Sequence, residues 1–231
     1  MNAFVAGSGA WGTALALVLL KNGHTVTLWS HSTESCRRLV QTRQNPYLPG
    51  VTLPDALRFT DRVCDARGSE LLVFATPSFA VRETARKFAP YISESAVPVS
   101  VTKGIEAHSG LRMSQIIGQE TGKTVVALSG PSHAEEVSRG NPTGIVAACP
   151  DRTLAEAVQS AFMSERLRVY TSPDIVGVEL GAAFKNVIAL CAGICDGMGY
   201  GDNAKALLMT RGLSEVARLG MAMGAKRETL A

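Results

Sequence analysis

Residues 2–29 read NAFVAGSGAWGTALALVLLKNGHTVTLW, and the spacing of three glycines inside this stretch decides the fold. Residues 3–6 are a short apolar run suited to a buried parallel strand. Gly7, Gly9 and Gly12 follow at G-x-G-x-x-G spacing, and an apolar helical pattern occupies residues 13–20. Asn22-Gly23 ends it, and residues 25–29 supply a second strand. In this strand–turn–helix–strand context the glycine spacing signals a dinucleotide site. The first glycine permits the tight turn, the second lets pyrophosphate approach the backbone, and the third lets helix pack on strand. The phosphates belong at the helix N-terminus, where free N–H groups and the helix dipole favour anions. The alternative is three glycines in an ordinary turn.

Downstream, the pattern predicts a helix over 33–42, then a loop, QNPYLPGVTLPDALRFT, whose prolines at 46, 49 and 54 forbid regular helix. Strands are expected at 71–75, 97–101, 125–129, 145–149 and 167–170, and helices near 79–88 and 152–162. Ser109 is expected to cap a short helix, and Ser132 with Glu135 to form a capping box. From Asp174 onward the pattern is helical, broken near 197–201. Strands alternating with helices imply an α/β fold, a doubly wound, mostly parallel sheet, over residues 1–173. Residues 174–231 begin an all-helical second domain. Ligands of such sheets bind beyond the strands' carboxyl ends. That rule places the Gly7–Gly12 turn, Thr76-Pro77-Ser78, Lys103 and residues 129–132 along one rim.

Cofactor type depends on the end of the second strand, where an acid normally holds the ribose hydroxyls of NAD. Here Ser30, His31 and Ser32 follow Trp29, with Arg37 and Arg38 on the next helix. That composition accommodates a 2′-phosphate and favours NADP or dual use. The plainer reading makes the two arginines a solvated helix face.

Composition narrows the class. The 231 residues are 46% hydrophobic and 19% charged with a net charge of +3, which gives a globular core and no basic run suited to nucleic acid. Cys36, Cys64, Cys149, Cys191 and Cys195 are odd in number and lack C-x-x-C spacing, so neither a disulfide framework nor a metal site is indicated. No signal sequence leads the chain, and no run of about 18 uninterrupted apolar residues suggests a membrane span. A reducing cytoplasm fits.

Residues 180–203, LGAAFKNVIALCAGICDGMGYGDN, place Lys185 and Asn186 in an otherwise apolar helix. Lysine is rarely buried without a partner, so this ammonium either snorkels to water or lines a cavity that meets a polar substrate.

Read in order, GSGAWGTALA, NPYLPG, LRFT, KGIE, SGPSHAEE, ELGAAFKNVIALCAGICDGMGYGDNAKA and TRGLSEVARLG cover almost the whole chain. Together they resemble bacterial NAD(P)-dependent glycerol-3-phosphate dehydrogenase. The resemblance implies a Rossmann domain followed by a helical domain in a cytoplasmic, often dimeric oxidoreductase. Its reaction interconverts dihydroxyacetone phosphate and sn-glycerol 3-phosphate for phospholipid biosynthesis. It further implies Lys185 as the catalytic lysine, with Lys103, Gly130 and Ser132 as substrate contacts. Ala10, Trp11, His31, Lys103 and Ala134 would contact the cofactor beside Gly7, Gly9 and Gly12. Position 10 is commonly serine in the family, so only its backbone N–H remains available here. The family also extends past Ala231, so the resemblance implies a C-terminally truncated form with an uncovered apolar helix face. The competing readings are a non-catalytic dinucleotide-binding fragment and another lysine-dependent reductase of the 6-phosphogluconate or ketopantoate type.

Overall fold

A computed structural model describes residues 1–230. One eight-stranded sheet organises them, built from β1 (Asn2–Ala6), β2 (Thr25–Trp29), β3 (Arg58–Thr60), β4 (Leu71–Phe74), β5 (Val97–Ser100), β6 (Val126–Ser129), β7 (Thr143–Ala148) and β8 (Leu167–Ser172). The spatial order is β3-β2-β1-β4-β5-β6-β7-β8. Every neighbouring pair is parallel except β6 and β7, which run antiparallel. The first six strands thus carry the dinucleotide-fold order, with the chain reversing between β1 and β4.

The helices are α1 (Ala10–Lys21), α2 (Thr33–Thr42), α3 (Val81–Phe88), α4 (Met113–Thr121), α5 (Ala134–Ser138), α6 (Arg152–Phe162), α7 (Ile175–Gly197), α8 (Asp202–Ala222) and α9 (Arg227–Leu230). Strand residues alternate between two cores, as a period of two requires. Ala3, Val5, Leu71 and Val73 join Leu15 and Leu19 of α1 and Val158 and Phe162 of α6 on one face. Phe4, Ala6, Leu72 and Phe74 join Phe88 of α3 and Met113, Ile116 and Ile117 of α4 on the other. Phe88 meets the rings of Phe4, Trp29 and Phe74 edge-on at centroid distances of 5.4, 5.2 and 6.3 Å.

The expected loop over 44–60 contains one element that its sequence did not announce. Arg58–Thr60 pairs with β2 as the edge strand β3. Three residues are too few for a periodic pattern to show. The rest of the segment is tightly packed, with Leu48, Leu53 and Leu57 buried. Two expected caps are also absent. Ser109 donates to Glu106 and accepts from the Leu111 amide, while α4 starts later with Arg112 at its N-cap. Ser132 caps nothing, because the N-cap of α5 is His133 and the Ser132 hydroxyl donates to the Gly130 carbonyl instead.

The chain leaves the sheet through α7, whose first turns pack Ile175, Val176 and Val178 on β6 and β7 residues Ala127, Val146 and Ala148. By length and composition alone this helix is apolar enough to cross a membrane. From Leu180 it joins an apolar cluster with residues of α8 and α9, Ala225 between them, and Ile105. Val187, Leu190 and Ile194 on α7 and Met198 just past its end, with Leu207 and Leu213 on α8, are exposed.

Asp174 starts α7 and joins it to α9. Its carboxylate accepts from the Gly177 amide at 2.9 Å and the Lys226 amide at 2.8 Å. Burial opposes ionisation of Asp174, but these bonds, with one from Thr229, outweigh it and hold the carboxyl below its usual range. A depressed acid contributes stability above its unfolded pKa and loses it as pH falls through the folded one. Asp174→Ala should therefore cost about 1–2 kcal/mol in urea melts at pH 7. The two proteins should converge as pH drops below about 4.

Candidate dinucleotide and anion site

The turn after β1 is shaped by what cannot be placed there. Gly7 has φ +134°, and its N–H donates to the Trp29 carbonyl at 3.1 Å. A Cβ on Gly7 would lie 2.7 Å from the Ala75 carbonyl carbon at the end of β4. A Cβ on Gly12 would collide with the Gly7 carbonyl, so α1 sits directly on the turn. Gly9 differs: its Cβ would meet nothing within 4 Å. It borders open space at the head of α1, which has no side-chain cap to satisfy its first-turn N–H groups.

Asn45 fastens this turn. It is 3% exposed, and its Nδ2 donates to the Ser8 carbonyl at 2.9 Å and to the Thr13 hydroxyl at 2.7 Å. Its Oδ1 accepts from the Tyr47 amide at 3.0 Å. The NPYLPG segment is thereby tied to the glycine turn, a role without any spacing signature along the chain. Ala10 and Trp11 pack with Leu48 and Ala134 in one small cluster, so three of the expected cofactor-side residues meet there. His31 stands apart and exposed beyond β2, as do Arg37 and Arg38 on α2.

The sheet's carboxyl rim is lined by hydroxyls with unused capacity. Ser30, Thr76, Ser100 and Ser129 follow or end β2, β4, β5 and β6, and their oxygens are buried without a hydrogen-bond partner among the described residues. Buried polar groups are normally paired. Open space at Gly9 and the uncapped N-terminus of α1 suit a polar, anionic ligand such as a dinucleotide. No cluster of metal-ligating side chains occurs among the described residues.

Further along the rim, Lys103 Nζ donates to the Gly130 carbonyl at 3.1 Å, and the Ser132 hydroxyl donates to the same oxygen at 3.2 Å. A Cβ on Gly130 would lie 2.9 Å from the Gly144 carbonyl, so only glycine fits between β6 and β7 there. Burial first, and the ammonium of Lys185 second, push the Lys103 amine below the usual lysine range. The fold therefore brings Lys103, Gly130 and Ser132 together although they arise from two separate segments, with Lys185 near enough for its charge to act on the Lys103 amine. No carboxylate forms an ion pair with either lysine among the described residues. Two cations whose charges act on one another, with no ion-paired carboxylate among the described residues, suit an anion. Of the two alternatives for Lys185, contact with water is the one consistent with its exposure, which Asn186 shares.

The loop after Lys103 is rigid. Glu106 takes a fork from Arg82 at 2.8 and 2.7 Å and a bond from the Ser109 hydroxyl, which together hold its carboxyl at about 2. On α7, Glu179 is 6% exposed and accepts from Arg112, from the Ser114 amide at 2.8 Å and from the Ser114 hydroxyl. Neither group was legible as functional, because their partners are distant in sequence.

Comparisons with known proteins agree along the whole chain. A family model described as NAD-dependent glycerol-3-phosphate dehydrogenase N-terminus matches residues 2–155, and its C-terminal counterpart matches residues 174–231. The glycerol-3-phosphate dehydrogenase (NAD(P)+) of Pelotomaculum thermopropionicum is 52% identical, over 98% of this chain and 67% of its own. That of Bacillus velezensis is 49% identical, over 94% of this chain and 65% of its own. The crystal structure of a Coxiella burnetii glycerol-3-phosphate dehydrogenase matches with a TM-score of 0.94 at 34% identity, covering 99% of this chain and 71% of that one. A ketopantoate reductase from Ralstonia eutropha, at 17% identity and a TM-score of 0.71, shares the fold alone. The chain spans about two thirds of the length of the curated relatives it matches.

Two substitutions separate folding from ligand binding at the turn. Gly9→Ala should melt near the unsubstituted protein yet lose NADPH binding in a fluorescence titration. Asn45→Ala should cost about 1–3 kcal/mol in urea unfolding, because the Ser8 and Tyr47 backbone groups lose their partner. It should weaken NADPH as well.

Proposed function

The chain belongs to the NAD-dependent glycerol-3-phosphate dehydrogenase family, and on that premise we propose that it interconverts dihydroxyacetone phosphate and sn-glycerol 3-phosphate. NADP or NAD binds across the Gly7–Gly12 turn, and when bound it supplies or takes up the hydride. The observation that carries the reading is the shared contact of Lys103 and Ser132 with the Gly130 carbonyl beyond the strand ends, with the charge of Lys185 acting on the Lys103 amine and no carboxylate ion-paired to either lysine among the described residues.

In this reading residues 1–173 hold the dinucleotide and residues 174–231 supply the substrate-facing side. Gly7, Gly9, Ala10, Trp11, Gly12, His31 and Ala134 contact the cofactor, and Lys103 reaches both ligands. Lys103, Gly130 and Ser132 hold the phosphorylated substrate. Lys185 donates a hydrogen bond to the ketone oxygen, stabilises the developing alkoxide and delivers its proton, and in the reverse direction it takes that proton back. The product serves phospholipid biosynthesis in the cytoplasm. The exposed row on α7 and α8 supports a homodimer.

Exposure of Lys185 favours one further reading, a chain that binds the dinucleotide without turning substrate over. An assay of NADPH oxidation on adding dihydroxyacetone phosphate separates the two. Lys185→Ala should lower kcat about 10²–10⁴-fold while leaving NADPH affinity within about twofold. Turnover that survives the substitution removes Lys185 from the chemistry, and NADPH binding without turnover in the unsubstituted chain favours the binder.

A further inference from the structure

We propose that the segment from Thr76 to Arg82 is a three-point cradle for Lys103, in which Glu106, held by Arg82, is a positioning residue acting through that lysine. What Lys103 binds rests on the proposed function, while the placement of its amine is tested without it.

Residues 102, 104 and 106 all meet this one segment. The Thr102 hydroxyl donates to the Thr76 carbonyl at 2.7 Å. Gly104, with φ +148°, lies so close to the short turn Ser78–Ala80 that a Cβ there would come within 2.8 Å of the Ser78 Cβ. Glu106 takes the fork of Arg82, in the first turn of α3, at 2.8 and 2.7 Å. The residues between them go elsewhere. Lys103 reaches the Gly130 carbonyl beyond β6, and Ile105 joins Leu180 and Phe184 of α7. The division by alternate residues follows the pattern of a strand, so holding one set aims the other.

The cradle is itself held at the dinucleotide end. A Cβ on Gly7 would lie 3.1 Å from the Thr76 nitrogen, so the segment starts against the glycine turn. The Ala80 amide then donates to the Pro77 carbonyl at 2.9 Å, and Val81 is fully buried. Arg82 is braced from its other side by Glu120 of α4 at 2.7 Å. One piece of backbone therefore touches the glycine turn and carries the Lys103 loop, which fixes the separation of the two.

Lys103 has need of such a device. A lysine stem is flexible and its ammonium prefers water, yet this amine is half-buried on a carbonyl. The Arg82–Glu106 pair is itself part-exposed, so it adds little to stability. Its two parallel bonds do fix direction, which explains a fork at this point.

The test reads the environment of the amine. Acylation of Lys103 by an N-hydroxysuccinimide acetate, referenced to the exposed Lys21 and followed by mass spectrometry, yields a pH midpoint. That midpoint reports hydration of the amine and, unlike a rate, is insensitive to steric access. The groups acting on Lys103 are the Gly130 carbonyl and the charge of Lys185, and no carboxylate pairs with it among the described residues. Burial is the larger cause of its lowered value, so release to water should move the midpoint up towards an ordinary lysine. Glu106→Ala should give that upward shift and weaken inorganic phosphate about tenfold by calorimetry. Glu106→Gln, which keeps an acceptor for Arg82, should hold the midpoint near that of the unsubstituted chain. Thr102→Val, close in shape and lacking only the bond to Thr76, should shift it in the same direction as Glu106→Ala and serves if the latter does not unfold cooperatively. A role in stability alone would lower the urea midpoint of Glu106→Ala and leave the Lys103 titration unmoved. That result, in a cooperatively folded variant, overturns the proposal. Absence of phosphate binding in the unsubstituted chain would instead count against the proposed function, with the titrations still deciding the cradle.

Discussion

The contact of α1 with the carbonyl of Gly7 sets the rest of the molecule. Because position 12 has no side chain, the helix starts directly on the turn that leaves β1. That seat points the first N–H groups of α1 past Gly9 and lets Asn45 reach both Ser8 and Thr13. It also brings Trp11 against Leu48 and Ala134, which joins the glycine turn to the segment after β6. A methyl group at that point would displace the helix and every polar atom arranged around it.

Much of the architecture was legible because it is local. Glycine spacing, apolar runs and the Pro and Asn-Gly breaks are neighbours in sequence, and helices 33–42 and 152–162 fall where the pattern places them. What was not legible depends on partners far along the chain. Asn45 works through residues 32 and 37 positions away, and Glu179 through residues 65 and 67 away. Ser132 carried a capping signature, yet a nearby carbonyl competed for its hydroxyl. For Lys185 the composition of its own helix left two alternatives open. Burial is set by what packs against a helix, and Lys185 and Asn186 are exposed on α7.

The rim divides its electrostatic work between backbone and side chains. At the glycine turn, positive potential comes from N–H groups that cost nothing to keep dry, since no charge is desolvated. At Lys103 and Lys185 it comes from full charges that repel one another, with Lys103 further burdened by burial. One shared acceptor, the Gly130 carbonyl, steadies Lys103 and Ser132 together. The arrangement is poised for a dianion, which relieves the repulsion as it binds.

The row of apolar side chains along α7 and α8 has a thermodynamic consequence. Val187, Leu190, Ile194, Leu207 and Leu213 keep much of their hydrocarbon hydrated in the native state. Unfolding therefore releases less new apolar surface than the chain's length implies, and heat capacity rises by less than for a fully covered core. The stability curve of such a chain is flatter with temperature, and its unfolding is less steeply dependent on denaturant.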